Sequence, residues 1–238
     1  MSDNAGLRTQ DFLSCLASCV YLWGVFMKTT SSELNSVINK AKSKEKISYE
    51  DFLAWCDEDT WAEWVDGDVI MVSPASKRHQ SIGSFLESLL RLYVESRNLG
   101  EVLRAPFQMK LGEDMPGREP DLLYVASAHL DRLKDTYLDG PADMVVEIIS
   151  AESIGRDRGE KFVEYEAAEV LEYWLIDPIR EQAEFYRIGT DNHYHPVMLD
   201  DEGIYRSEAV EGFWLRVSWL WQEPLPPVLD VCRELNLL

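Results

Sequence analysis

Two acidic residues lie in apolar stretches of the chain, which makes them candidate ligands for a cation. Asp121 follows Pro120 and begins the segment DLLYV, so its carboxylate is expected at the mouth of a strand, partly buried yet reachable by a ligand. Glu147 lies within the otherwise apolar run MVVEIIS. A carboxylate in a buried strand costs several kcal/mol unless it is paired or binds a metal. For Glu147 taken alone, a metal and a salt bridge to a nearby Arg or Lys both remain open.

Three residues of the next predicted helix share one face of that helix. Asp157, Lys161 and Tyr165 are spaced i, i+4 and i+8. One interpretation is a surface ion pair between Asp157 and Lys161, worth a few tenths of a kcal/mol. The other places Lys161 beside the two carboxylates, where it could orient an attacking water or stabilise a phosphorane-like transition state. Two oxygen ligands, retained waters and a substrate phosphate are what Mg²⁺ prefers, and the metal would polarise the phosphate.

Two further residues are weaker candidates. Glu63 lies in the first strand of a predicted hairpin and could be a third carboxylate of the site, or an ordinary surface acid. His79 stands at the start of a long predicted helix and could contact a phosphate or a leaving group. A lone histidine is more often a surface or capping residue.

The elements that must position these residues follow from periodicity and turn signals. Asp66-Gly67 between apolar flanks predicts a hairpin with a type I′ turn, and Ser48 with Asp51 three residues later predicts the start of a short helix. Apolar residues at helical spacing predict an amphipathic helix over 76–98. The other predicted elements are strands within 102–110, 122–125, 144–149 and 172–176 and a helix over about 153–168.

This order of elements predicts an α/β fold with a mixed central sheet flanked by helices. The strand, helix, strand sequence over 144–176 favours a parallel pair within that sheet. From Ala183 onward, short segments alternate with turns at glycine, which predicts an antiparallel C-terminal extension. We see no internal repeat, and a single domain over residues 47–238 is the economical interpretation.

The N-terminal segment, residues 1–46, is expected to be an extension or leader. Residues 13–26 form an apolar run of signal-peptide length, but the flank before it carries one Arg and two Asp, whereas a signal peptide has a positive flank. The run is also short for a membrane span. We favour a true start at Met27 or a peripheral helix, with a signal peptide or an anchor as the alternative.

The composition supports a globular protein but argues against a polyanionic partner. The 238 residues are 46% hydrophobic and 11% aromatic, whereas the formal net charge is -20. Such a charge repels nucleic acid at long range, and most DNA-binding domains are basic instead. The four cysteines form no CxxC pair, which favours free thiols and a cytoplasmic location.

With these residues in place, the chain resembles the Uma-type restriction endonucleases, a branch of the PD-(D/E)XK nuclease superfamily. The resemblance spans roughly residues 47–190, and the matching segments are EWVDGDVIMVSPASKRHQ (63–80), EPDLLYV (119–125), MVVEIIS (144–150) and DRGEKFVEYEAAEVLEYWLIDP (157–178).

The resemblance implies a restriction-endonuclease-like core with Asp121 and Glu147 as metal ligands. The superfamily places a lysine two residues after the second acid, but here that position is Ile149. In the Uma-type branch a helix lysine takes over, and Lys161 fits that role. Glu63 matches an early acid that often completes such sites, and His79 matches a histidine position typical of the branch.

Three functions compete on these grounds. The first is a Mg²⁺- or Mn²⁺-dependent DNA endonuclease, expected to be a homodimer by analogy with nucleases that cut both strands. The second is a catalytically inactive nuclease fold that serves as an interaction or assembly module, which the net charge favours. A weaker third is a hydrolase that uses paired carboxylates on sugars. It would need a cleft lined by tryptophan, and the tryptophans here lie in apolar runs.

Overall fold

The computed structural model describes residues 46–56, 60, 62–71, 75–113 and 115–238. The expectations for residues 1–45, including a start at Met27, lie outside the described residues. None of the helices in the described ranges is long and apolar enough to cross a membrane. The residues from Lys46 to Leu238 form one unit of the structure.

The described helices and strands follow the order expected of a mixed α/β chain. The helices are α1 (Tyr49–Trp55), α2 (Lys77–Arg97), α3 (Lys161–Ala167) and α4 (Val228–Glu234), with 3₁₀ turns at Ser127–Arg132 and Val217–Trp221 and a π turn at Arg156–Glu160 that leads into α3. The strands are β1 (Ala62–Val65), β2 (Asp68–Met71), β3 (Gly100–Arg104), β4 (Gln108–Lys110), β5 (Gly117–Arg118), β6 (Leu122–Ala126), β7 (Tyr137–Asp139), β8 (Met144–Ile148), β9 (Glu172–Asp177), β10 (Gln182–Ile188), β11 (Tyr194–Pro196), β12 (Ile204–Arg206) and β13 (Trp214–Arg216).

The central sheet has six strands in the order β11-β10-β9-β8-β6-β3. β8 and β9 are parallel, and the other neighbours pair antiparallel, so the sheet is mixed as predicted. The π turn and α3 make the crossover between the two parallel strands. Because β8 and β9 run the same way, both end at one edge of the sheet.

Both faces of the central sheet are buried, each under its own apolar cluster. Alternate residues of a strand point to opposite faces, so Val146 packs with α2 and the C-terminal elements, whereas Val145 packs with α3. Glu147 therefore points to the α3 side. α2 buries a stripe of seven apolar residues, as its helical periodicity predicts.

Local signals set the ends of the elements near the site. Ser48 accepts a hydrogen bond from the amide of Asp51 and caps α1, which confirms the predicted helix start. Asp66 and Gly67 both have positive φ, of 50° and 87°, as the predicted type I′ turn requires. This turn joins β1 to β2, so it fixes the position of Glu63 in β1.

The structure contains a second, smaller sheet that the sequence patterns did not predict as separate from the central one. Its five strands run in the order β2-β1-β5-β4-β7. The predicted strand over 102–110 is in fact two strands, since β3 belongs to the central sheet and β4 to the smaller one. Pro106, which has no amide to donate to a ladder, lies in the break between them. The smaller sheet brings β1 and β5 towards α3.

The C-terminal part is antiparallel, as expected. β10 and β11 extend the central sheet, and β12 pairs with β13 in a separate two-stranded ribbon. Phe213 and Leu215 from this region join the cluster under α2, together with Val231 of α4. The extension therefore completes the α2 face of the central sheet, while Tyr194 of β11 packs in the cluster on the α3 face.

Candidate active site

The two sequence-predicted acids lie across from each other where β6 and β8 meet the sheet edge. Leu122 pairs with Val146 in the antiparallel ladder, so one further step places Asp121 opposite Glu147 on the same face. A hydrogen bond also joins Asp121 to the strand that carries Glu147, because the backbone amide of Ile148 donates to Asp121 Oδ2 at 2.7 Å. A bent chain after Pro120 thus turns one carboxylate towards the strand that carries the other.

Lys161 lies against Glu147, as the second interpretation of its helix face expects. Its ammonium Nζ is 2.8 Å from Glu147 Oε1, and the lysine is 4% exposed. Lys161 is the first residue of α3, so the start of the helix places the lysine beside Glu147 of β8. At this depth an ion pair must be well coordinated to offset the cost of its burial.

The other members of the predicted helix face also lie at the site. The Tyr165 hydroxyl donates to Glu147 Oε1 at 2.9 Å. Asp157 lies in the π turn, 1% exposed, and its Oδ1 is 3.6 Å from Lys161 Nζ. The surface interpretation of the Asp157–Lys161 pair is therefore wrong, because both groups are buried at the site.

Glu63 reaches the same place from the smaller sheet. Its Oε1 lies 2.8 Å from Lys161 Nζ, and its Oε2 accepts from Arg118 at 3.1 Å. Glu63 is 1% exposed, which excludes the alternative of a surface acid. Lys161 is therefore held between two carboxylates, one from each sheet.

Arg118 of β5 is a member of the site that the sequence analysis missed. It is fully buried and donates to both oxygens of Glu164 on α3, at 2.7 and 2.8 Å, as well as to Glu63. Its position directly before Glu119, Pro120 and Asp121 was the available signal. A basic residue next to a candidate ligand is commonplace, however, and only the packing of the two sheets shows where Arg118 points.

Glu119 is a second residue that the sequence analysis left aside. It is buried and accepts a hydrogen bond from Gln108 Nε2 at 2.8 Å. Burial, together with the negative charge of Glu63, raises the pKa of Glu119 to about 8. The site is thus surrounded by more carboxylates than the three that the sequence analysis selected.

Burial and charge shift the protonation of the central groups in opposite directions. Burial raises the pKa of Glu147 to about 8, although the charge of Lys161 opposes the shift. Burial disfavours the ammonium of Lys161, but Glu147 and Glu63 outweigh it and raise the pKa of the lysine well above its usual value. Burial also opposes ionisation of Glu63, yet Lys161 and Arg118 together lower its pKa. Lys161 and Glu63 are therefore both charged at neutral pH.

His79 lies at the rim of the site, where it contacts Asp121. Its Nε2 is 3.2 Å from Asp121 Oδ2, and its amide donates to the Ser76 cap of α2. Burial lowers the pKa of His79, but the hydrogen bond and charge of Asp121 outweigh it, so the pKa is raised. His79 and Asp121 therefore orient each other, so a capping role at the start of α2 does not account for all the contacts of His79.

The two predicted metal ligands retain acceptor capacity that a cation could use. Asp121 uses Oδ2 for Ile148 and His79, and Glu147 uses Oε1 for Lys161 and Tyr165. Within the described ranges, Asp121 Oδ1 and Glu147 Oε2 have no hydrogen-bond partner. Two free carboxylate oxygens on neighbouring strands fit a hard cation that keeps several waters.

The protein would supply only part of such a cation's coordination shell. In the part of the chain that the structure describes, no group of three or more His, Cys, Asp or Glu side chains is arranged to hold a metal. Both oxygens of Glu63 are already paired with cationic side chains. The donor set thus suits Mg²⁺ or Mn²⁺ with water and phosphate ligands better than Zn²⁺, which is held by three or four protein ligands.

Comparison with known proteins supports the same fold. A solved structure from Anabaena variabilis ATCC 29413, described as "a putative nuclease belonging to DUF820", superposes with a TM-score of 0.60. It is 16% identical to this chain, and the match covers 74% of this chain and 97% of that one. At this identity the likeness concerns the fold. No curated protein matches the chain significantly.

The family profile gives the assignment. The profile described as "Uma2: Putative restriction endonuclease" matches residues 49–218. This range contains the two acids, the helix lysine and both sheets that surround them, and it confirms the resemblance inferred from the motifs. Because the match spans most of the sequence, the chain belongs to the Uma2 family.

Proposed function

We propose that this protein is a metal-dependent endonuclease that hydrolyses phosphodiester bonds in DNA. The observation that carries the proposal is the position of Lys161. Its ammonium lies 2.8 Å from Glu147, at the edge of the sheet where Asp121 also lies. A structural ion pair would explain Lys161 and Glu147 alone. It would not explain why Asp121 and Glu147 each keep one carboxylate oxygen on the same face that is without a partner among the described residues.

The residues of the site divide into three roles. Asp121 and Glu147 would hold Mg²⁺ or Mn²⁺ through their free oxygens. Lys161 donates hydrogen bonds towards the reacting phosphate and the attacking water, and stabilises the negative charge that develops there. His79 fixes the orientation of Asp121 through the contact with Oδ2, and the charge of Asp121 favours the protonated form of the imidazole.

A divalent cation supplies one kind of chemistry when it is bound at these carboxylates: it polarises the phosphodiester and lowers the pKa of a coordinated water. Burial keeps bulk water away from Glu147 and Lys161, which strengthens every charge interaction at the site. Glu147 binds a cation only as a carboxylate, and the charge of Lys161 favours that form against the effect of its burial.

The direct test is a cleavage screen over single-stranded DNA, duplex DNA and RNA with Mg²⁺ or Mn²⁺. We expect wild-type protein to cleave DNA only when the metal is present. Asp121→Asn should reduce the rate by about 100-fold or more, because a metal contributes several kcal/mol of transition-state stabilisation. The matched control is Asp230→Asn, an exposed acid on α4, which should leave the rate unchanged.

Two results would count against the proposal. Equal rates for the wild type and Asp121→Asn would remove Asp121 from the site. No cleavage of any of the three nucleic acids by the wild type, with either metal, would remove the nuclease activity itself. A homodimer and a cytoplasmic location are further parts of the proposal, the first by analogy with enzymes that cut both strands.

A second function is favoured by one observation, the formal net charge of -20. A charge of this sign and size opposes nucleic-acid binding and suits a nuclease fold that serves as an interaction or assembly module. This alternative predicts no heat of binding when Mn²⁺ is added to the protein at moderate ionic strength. It also predicts the absence of cleavage in the screen, so the two functions are separated by the same pair of experiments.

A further inference from the structure

Glu63 uses both of its oxygens on cationic side chains, which a metal ligand at the same place would not do. Oε1 lies 2.8 Å from Lys161 Nζ, and Oε2 lies 3.1 Å from an Arg118 nitrogen. The early acid was a candidate to complete the metal site. Its geometry assigns it another task, because neither oxygen is left for a cation in the described structure.

The ammonium of Lys161 lies between two carboxylates that differ in whether an oxygen is available for a cation. Glu147 retains a free oxygen and stands opposite Asp121, whereas Glu63 belongs to the other sheet. Both oxygen–nitrogen distances are 2.8 Å. A cation on Glu147 Oε2 would repel the ammonium that lies on Oε1 of the same carboxylate, whereas both oxygens of Glu63 are already paired with cationic side chains. When a cation binds Glu147, Glu63 remains as the nearest anionic partner of the lysine, because Asp157 Oδ1 is 3.6 Å from the ammonium.

Glu63 is itself held in place from α3. Arg118 donates to Glu63 with one nitrogen and to both oxygens of Glu164 with two others. Lys161 and Glu164 are both on α3, so β1, β5 and the helix are tied by alternating charges. The two-nitrogen contact with Glu164 fixes the plane of the Arg118 guanidinium, and so the position of the third nitrogen that donates to Glu63.

We propose that Glu63 is a positioning residue that acts through Lys161: it retains the ammonium when a divalent cation binds Asp121 and Glu147, and thereby sets the affinity for that cation. This inference rests on the proposed metal site. Without the charge of Glu63, the lysine has Glu147 as its strongest anionic partner and opposes the cation there. A ligand role for Glu63 makes a different prediction, since the loss of a ligand weakens binding whether or not Lys161 is present.

The experiment is a double-mutant cycle on Mn²⁺ affinity, measured by calorimetry with the metal alone, so that no cleavage is needed. The four proteins are the wild type, Glu63→Gln, Lys161→Gln and the double variant. We expect Glu63→Gln to weaken Mn²⁺ binding by about 10- to 100-fold in the wild-type background, the range typical of residues that orient metal ligands. In the Lys161→Gln background the same substitution should change the affinity by less than about threefold.

Two control variants distinguish Mn²⁺ binding at the proposed site from binding to other carboxylates of the protein. Asp121→Asn defines how much Mn²⁺ binding belongs to the proposed site. Glu208→Gln makes the same carboxylate-to-amide change at an exposed residue that pairs with Arg187, and it should leave the affinity unchanged. Circular dichroism and urea unfolding establish that each variant is folded. If Lys161→Gln does not fold, Lys161→Met takes its place in the cycle.

Each outcome has a definite consequence. An equal loss of affinity from Glu63→Gln in both backgrounds would make Glu63 a ligand and overturn the inference, while the metal site would stand. An unchanged affinity in Glu63→Gln alone would also overturn it. If neither the wild type nor the lysine variant binds Mn²⁺, the proposed metal site is wrong and the inference falls with it.

Discussion

At the scale of single residues, the site depends on how one buried carboxylate is satisfied. Glu147 is 3% exposed, and its Oε1 accepts from both Lys161 and Tyr165. The tyrosine hydroxyl is a neutral donor, so it stabilises the carboxylate without competing for it as a charge. Removing such a donor leaves a buried acceptor with less than its full set of hydrogen bonds.

Tyr165→Phe should lower the free energy of unfolding by about 1–2 kcal/mol, because the hydrogen bond to Glu147 is lost while the ring is kept. Urea unfolding followed by circular dichroism measures the change. Tyr49→Phe is the matched control, since the Tyr49 hydroxyl is buried and has no hydrogen-bond partner among the described residues. It should change stability by less than about 0.5 kcal/mol. Equal effects of the two substitutions would mean that the Tyr165 hydroxyl does not support Glu147.

At the scale of elements, β9 carries the acid that attaches the C-terminal extension. Glu172, its first residue, is fully buried and accepts from the Ser207 hydroxyl at 2.8 Å and the Ala209 amide at 3.0 Å. It also accepts from the indole of Trp174 at 3.2 Å. The extension covers the α2 face of the central sheet, so this acid helps to hold the face opposite the candidate site.

Glu172→Ala should lower the free energy of unfolding by about 3 kcal/mol or more, because several buried donors lose one charged acceptor. Glu208→Ala removes a neighbouring acid that is exposed and paired with Arg187, and it should cost less than about 1 kcal/mol. Thermal and urea unfolding of both variants provide the comparison. A cost as small for Glu172 as for Glu208 would show that the extension is held by its apolar contacts alone.

At the scale of the whole molecule, net charge governs how a nucleic-acid substrate would approach. The formal charge of -20 repels DNA at long range, whereas the cationic side chains of the site attract a phosphate only at short range. Salt screens the first effect strongly, since the Debye length falls from about 30 Å at 0.01 M to about 8 Å at 0.15 M.

The cleavage efficiency kcat/KM on duplex DNA should therefore rise, or stay level, when NaCl is increased from about 0.02 to 0.15 M at constant free Mg²⁺. Most DNA-binding proteins show the opposite trend, because they release counterions from the phosphates they contact. Initial rates at low substrate concentration give the required slope. A steep fall in efficiency with salt would place a basic DNA-binding surface on this protein and contradict the prediction.

Local sequence was sufficient for most elements and for part of the site. The helix over 76–98 and the hairpin turn at Asp66-Gly67 are specified by neighbours in the chain, namely apolar residues at helical spacing and a residue pair that accepts positive φ. The face shared by Asp157, Lys161 and Tyr165 follows from helix geometry in the same way.

Only the tertiary structure decided what those side chains meet. Glu63 and Arg118 come from a second sheet, and their contact with Lys161 depends on the packing of two sheets against α3, which no local pattern encodes. The sequence by itself determined that Asp121 and Glu147 belong to strands and that the lysine lies on the helix. That the lysine is shared between Glu147 and Glu63 was settled by long-range packing, because burial and close charge pairing arise only when distant segments meet.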